Sequence, residues 1–143
     1  MRGFEKVTYI EAGVIPKRGT SKSAGYDFST IEEIEIKPNS VILIKTGIKS
    51  YMMSDEVLQV YVRSSVGFKK NLMLANTVGI IDSDYYNNEN NEGHIMIALY
   101  NYGKETQFLE KGERIAQGVF SKYLVADNDD NQIQRSGGYG STN

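Results

Sequence analysis

Cysteine is missing from all 143 residues, which excludes disulfides, thiolate zinc centres, iron–sulfur clusters and a cysteine nucleophile. Its absence fits a reducing compartment. Histidine is nearly missing too: His94 is the single one, so no histidine-based metal site can be assembled and no serine-hydrolase triad can be argued. Within its strand-like run His94 reads as a structural or surface residue. A strong charge of either sign is also lacking. The 16 Lys and Arg against 18 Asp and Glu leave a net charge of -2, too little basic field to attract a nucleic-acid backbone, so a partner has to be small or specific. No apolar run approaches the ~18 residues of a membrane span, and the opening MRGFEKVTYI lacks the apolar core of a signal peptide. The expectation is a soluble, cytoplasmic protein without nucleic-acid or membrane partners. Its length and 40% hydrophobic content suit one compact domain.

What is present alternates with a period of two. In VLQVYVR, Leu58, Val60 and Val62 share one face while Gln59, Tyr61 and Arg63 take the other, the pattern of a half-buried strand. GHIMIALYN repeats it, with Ile95, Ile97 and Leu99 opposed to His94, Met96 and Tyr100. SVILIK carries apolar residues in succession from Val41 to Ile44, as expected of a strand covered on both faces by a second sheet or a neighbouring subunit. Glycine, asparagine and the two prolines punctuate such runs throughout, which predicts an all-β sandwich or jelly roll with one short helix near 65–70. NNENNE at 87–92 has little to bury and reads as the tip of an extended hairpin loop. ADNDDNQIQ at 126–134 reads as a solvated linker, leaving a domain over 1–134 and a mobile glycine-rich arm over 135–143.

Three constellations can carry chemistry. Asp82 and Asp84 flank Ser83, so an extended backbone points both carboxylates to one face, although a strand-ending turn with aspartates bonded to their own backbone accounts for the spacing as well. A calcium loop is a poorer fit, since Asn87 stands where the sixth-position glycine is needed. Arg63, Ser64, Ser65 and Gly67 put a guanidinium, two hydroxyls and backbone N–H groups at a strand–helix junction, a setting that anions favour, while a serine cap explains the hydroxyls equally. The arm RSGGYGSTN interleaves glycine with Arg135, Tyr139, Ser141 and Thr142. Such a segment can close over a nucleotide, and an ordinary flexible terminus is the competing reading.

In order along the chain, AGYDFST (24–30), RSSVGFKKN (63–71), GIIDSDYY (79–86), ERIAQGVF (113–120) and RSGGYGSTN (135–143) resemble the five motifs of the trimeric dUTPase family. The resemblance spans nearly the whole chain. It implies a distorted jelly roll assembled as a homotrimer, with active sites shared between subunits. The implied reaction is hydrolysis of dUTP to dUMP and pyrophosphate by water attack on the α-phosphorus. That reaction keeps uracil out of DNA and supplies dUMP for thymidylate synthesis. Magnesium would be held through phosphate oxygens and water, with no direct protein ligand.

Residue by residue, the resemblance makes Asp82 the water-activating base and Asp84 and Asp27 supporting residues. Tyr85 would pack beneath the deoxyribose and exclude a 2′-hydroxyl. A hairpin entered at Asn76 and leading to Gly79 would pair with the uracil edge and reject the thymine methyl. Arg63, Ser64 and Gly67, with Ser65 beside them, match the phosphate-binding second motif, Gln117 matches the substrate-binding glutamine of the fourth, and Arg135, Tyr139, Gly140, Ser141 and Thr142 would close over the nucleotide.

Three departures stand out. Only Ser136 separates Arg135 from Gly137-Gly138, where the family usually has two residues; Tyr139 replaces the commoner phenylalanine; and YNNENNEG lengthens the third motif, as in some phage and Gram-positive bacterial members. A regulatory protein partner for that longer segment is left open. The rival readings are a dCTP deaminase of the same fold and a non-catalytic jelly-roll module. Deaminases resemble His-Ile-Thr-Leu-Glu-Leu in the strand that here reads HIMIAL, so Ala98 stands where their proton-shuttling glutamate would be.

Overall fold

The computed structural model describes residues 1–140 and 142. Its strands are β1 (Gly3–Lys6), β2 (Lys17–Arg18), β3 (Tyr26–Ser29), β4 (Ile34–Ile36), β5 (Val41–Lys45), β6 (Ile48–Tyr51) and β7 (Glu56–Val62), followed by helix α1 (Ser64–Lys70). Then come β8 (Leu72–Leu74), β9 (Gly79–Asp82), a 3-10 turn over Ser83–Tyr85, β10 (Met96–Asn101), β11 (Gln107–Leu109) and β12 (Arg114–Lys122). The all-β reading with one short helix holds, and α1 begins one residue earlier than the sequence indicates.

One layer is the sheet β2-β3-β12-β7-β9 and the other is β5-β10-β8, with β1–β6 and β11–β4 as flanking pairs. The period-two pattern explains the packing. Leu58 and Val60 of β7 face inward beside Phe28 and Ile115, meeting Ile97 and Leu99 of β10 and Ile44 of β5 in one continuous core. Each such side chain contributes about 1.5–3 kcal/mol on full burial. Gly118 in β12 is needed at the centre, because a Cβ there would sit 2.9 Å from both Leu58 and Phe28. Ile115 and Ala116 are neighbours, yet both are fully buried. A bulge between Arg114 and Ala116 breaks strict alternation and lets both turn inward.

Of the two covers expected for β5, a second sheet of its own chain is not the one on its outer side: Ile44 is buried, but Val41 and Leu43 are 54% and 48% exposed, because β5 pairs with β10 and none of the described residues forms a layer over that face. Two expectations need correction. The segment at 87–92 is not a hairpin tip, since β9 pairs with β7 whereas β10 pairs with β5 and β8. It is a knitted turn instead. The Asn87 N–H donates to the Glu92 carbonyl, and buried Lys49 reaches both Asn87 and Glu92. The turn entered at Asn76 is likewise a crossover between layers, linking β8 in one sheet to β9 in the other.

His94 is a structural residue, 2% exposed, just before β10. The Gly47 N–H donates to its Nε2, so Nδ1 carries the proton and faces the Tyr9 hydroxyl at 3.1 Å. Burial holds the imidazole below the ordinary value of 6.5, and Lys45 adds to the effect. The unfolded chain therefore takes up a proton first as pH falls, and stability is full above about 6.5 and declines below it. The urea midpoint is expected to drop between about pH 7 and 5.5, above the range where carboxylates titrate, and His94→Asn to flatten that drop. A wild-type midpoint constant across the window would remove His94 as its cause.

Candidate active site

The end of β9 and the 3-10 turn carry the acidic pair. Asp82 is the last strand residue and Asp84 lies in the following turn, so they do not share an extended face as the spacing suggested. They are brought together by Arg135, whose Nη2 donates to Asp82 Oδ2 and whose Nε donates to Asp84 Oδ1, each at 2.8 Å. Both carboxylates are half exposed, while the Arg135 side chain is nearly covered. The guanidinium carbon also stands 5.7 Å from the centre of the Tyr85 ring. The carboxylates hold that guanidinium even more firmly protonated than usual.

Behind this pair lies a cleft of about 200 Å³. Asn76, Gly79, Asp82, Tyr85 and Ile97 and Ala98 of β10 line it together with Tyr139, Gly140 and Thr142 of the arm. Tyr85 is buried, and burial pushes its phenol up, so the hydroxyl keeps its proton and donates to the His94 carbonyl at 2.8 Å. Val60 sits 3.1 Å from where a Cβ of residue 79 would be, so glycine there lets the crossover pass close to β7. The arm residues 135–140 and 142 are seated against this cleft, and Ser141 lies outside the described residues.

A second cleft of about 250 Å³ collects most of the remaining candidates. Arg63, Ser64, Ser65, Asp27 and Gln117 line it together with Arg114. Asp27 receives two arginines, Arg63 at 3.1 Å and Arg114 at 3.2 Å, which neutralise its charge and leave the cleft electropositive toward an anion. Gln117 projects here because residue 25 is glycine; a Cβ at that position would collide with the glutamine amide. Gly67 does not line the cleft. Its carbonyl accepts from the Tyr102 hydroxyl at 2.9 Å, and a Cβ on it would face Leu72 and Val62.

Arg114 and Gly25 are the residues that sequence reasoning passed over, although each lies inside a quoted segment. Gly25 stands in AGYDFST and Arg114 in ERIAQGVF. The signal for Arg114 was its place opposite Ser29, two residues along β3 from Asp27, which only the β3–β12 register makes visible.

The two clefts share no lining residue. Asp82 lies opposite Val57 at the start of β7, whereas Arg63 follows its end. Those six residues of strand separate them by about 20 Å at about 3.3 Å per residue. Among the described residues no group of three or more His, Asp or Glu is arranged to hold a metal ion, and no helix is long and apolar enough to cross a membrane.

A two-layer β-sandwich with an acid-rimmed cleft on one side and an arginine-lined cleft on the other defines a jelly roll built to take a small anionic ligand. Comparisons with known proteins are specific about which. The family model for dUTPase matches residues 11–143. A deoxyuridine 5'-triphosphate nucleotidohydrolase of Lactococcus lactis is 53% identical over 146 residues, covering 99% of this chain and 97% of that protein. The crystal structure of a dUTPase from Streptococcus mutans superposes with a TM-score of 0.83 at 47% identity, covering 88% of this chain and 99% of that one. A dUTPase of Staphylococcus bacteriophage 80alpha shares the fold with a TM-score of 0.78 at 21% identity, over 93% and 97% of the two chains. The chain belongs to the dUTPase family.

Proposed function

We propose that this chain hydrolyses dUTP to dUMP and pyrophosphate, with water attacking the α-phosphorus. The observation that carries the reading is that Asp82 lines one cleft together with Tyr85 and the Asn76–Gly79 crossover. Asp82 orients the water and takes its proton, and Asp84 shares with it the Arg135 guanidinium that fixes both carboxylates. Tyr85 underlies the sugar, where a 2′-hydroxyl meets the ring. Backbone groups of the crossover pair with the uracil edge. Cytosine reverses that donor pattern, and an unpaired buried polar group is costly. Ala98 lines the same cleft, and its methyl group cannot shuttle protons for attack at C4, which favours hydrolysis over deamination.

Phosphates are bound by Arg63, Ser64, Ser65 and Gln117 in the second cleft. One nucleotide reaches both clefts when different subunits supply them, so the enzyme works as a homotrimer. The separation of about 20 Å between Asp82 and Arg63 along β7 within one chain, and the uncovered Val41 and Leu43 on β5, support this assembly. Magnesium, when bound, offsets the triphosphate charge. Its hard-oxygen preference fits substrate phosphates and water, because Arg135 already occupies the Asp82 and Asp84 carboxylates. Residues 1–134 form the catalytic domain and 135–143 the arm that closes over the nucleotide. A cytoplasmic setting, that of the host for a phage-encoded enzyme, goes with removing uracil from the DNA precursor pool and with the absence of cysteine.

Pyrophosphate and ammonia release measured across the deoxynucleoside triphosphates tests the reading. Turnover is expected with dUTP alone. Ammonia from dCTP would shift the assignment to the deaminase, and silence with every nucleotide would favour a non-catalytic module.

A further inference from the structure

The asparagine-rich turn was the one sequence feature without a task. It follows Tyr85 directly, and its two inward amides form a closed network. Asn91 Nδ2 donates to the Tyr85 hydroxyl at 2.9 Å, and Asn88 Nδ2 donates to the Tyr85 carbonyl at 2.8 Å. The two amides also bond each other, Asn88 Nδ2 to Asn91 Oδ1 at 2.8 Å. Their orientation is set by the backbone. Asn91 Oδ1 accepts from the Gly93 N–H, and Asn88 Oδ1 accepts from the N–H groups of Asn90 and Asn91. Gly93, at φ +87°, is obligatory in this turn because a Cβ would stand 2.7 Å from the Tyr85 carbonyl oxygen.

The arm rests on the same two amides. Gly138 is buried, and a Cβ on it would lie 3.1 Å from Asn88 Oδ1 and from Asn91 Cγ and Oδ1. A side chain there would have to push the two amides apart by a few tenths of an ångström.

We propose that the Asn88–Asn91 pair is a latch joining the arm to the floor of the sugar pocket: Asn91 is a positioning and specificity-determining residue for Tyr85, and the paired amides are the seat on which Gly138 docks. This rests on the reading of the cleft as a dUTP site. The consequence is coupling. Arm closure and the shape that separates deoxyribose from ribose are set by one hydrogen-bonded unit, so disturbing it from either side is felt on the other.

Two variants test it. Asn91→Asp keeps the size and the acceptor for Gly93 but withdraws the donor to Tyr85; the ratio of kcat/KM for dUTP to that for UTP is expected to fall by about tenfold, the range a loosened steric pocket gives. Tyr85→Phe removes the hydroxyl at the other end of that bond and, with it, the donation to the His94 carbonyl. It should lose at least as much, and the double variant no more than Tyr85→Phe alone, because the Asn91 donor acts on the ring only through that hydroxyl. Gly138→Ala attacks the seat from the arm side and touches no core residue. It is expected to speed tryptic cleavage after Arg135 several-fold without nucleotide, followed as release of peptide 136–143 by mass spectrometry.

Unchanged discrimination in Asn91→Asp, or losses that multiply in the double variant, overturns the positioning role. An unchanged cleavage rate in Gly138→Ala overturns the seat, and that readout stands even if Asn91→Asp does not fold. If the wild type failed to hydrolyse dUTP, the functional reading would fail by itself, and the cleavage assay would still decide whether the arm is latched.

Discussion

Asp82→Asn is expected to lower dUTP turnover by about a hundredfold or more, the scale of a lost general base, while nucleotide binding stays largely intact. The amide keeps the shape of the carboxylate at the end of β9 and can still face Arg135, so the cleft wall is undisturbed. What it cannot do is take a proton from water. In the proposed reading base and sugar are held elsewhere, by the crossover and Tyr85, so the loss is expected to fall on kcat and not on binding. Steady-state kinetics together with binding of a non-hydrolysable dUTP analogue separates the two. A variant with near wild-type turnover would end the assignment of Asp82 as base.

The same variant examines the shared site. Arg63→Ala inactivates the other cleft, and in a mixed trimer some sites combine an intact Asp82 from one chain with an intact Arg63 from its neighbour. Partial activity is therefore expected when Asp82→Asn and Arg63→Ala chains are mixed and exchanged. Failure to recover after verified exchange would mean that one chain supplies both clefts, against the 20 Å that β7 puts between them.

The alternation in β7 and β10 was readable from sequence because each strand has one covered face, and a period of two needs no knowledge of what covers it. β5 was legible only in part for the same reason. Val41 and Leu43 are as apolar as Ile44, and a side chain's chemistry does not say whether its cover comes from its own chain or from another. The candidate residues were readable as types, but not their pairing. Arg135 meets Asp82 and Asp84 across more than fifty positions, and Asp27 meets Arg114 across 87, contacts that only strand register and the return of the tail create. The turn at 87–92 was hidden differently. Asparagines that hydrogen-bond one another and a buried tyrosine have the same composition as a solvated loop, so composition read as exposure where the structure has a network.

Removing residues 135–143 is expected to cost about a hundredfold or more in turnover without unfolding the protein. No described arm residue belongs to the core cluster, so thermal unfolding should shift little and the proposed assembly should persist. The loss arises in the cleft. With the arm seated, Arg135 spans Asp82 and Asp84, and Tyr139, Gly140 and Thr142 line the cleft; without it the carboxylates and the substrate phosphates are expected to stay hydrated and the in-line geometry not to be imposed. Misplacing reacting groups by about an ångström is enough for a loss of that size. Tyr139 is 66% exposed here, a ring with one face ready for a base. Tyr139→Ala should therefore lower turnover, whereas Tyr139→Phe should be nearly silent, because stacking uses the ring and not the hydroxyl. Hydrolysis rates measured beside thermal unfolding for the truncation and both variants decide the matter. Full activity in the truncated protein, or loss of fold and assembly along with activity, would show that the arm is not the lid of this site.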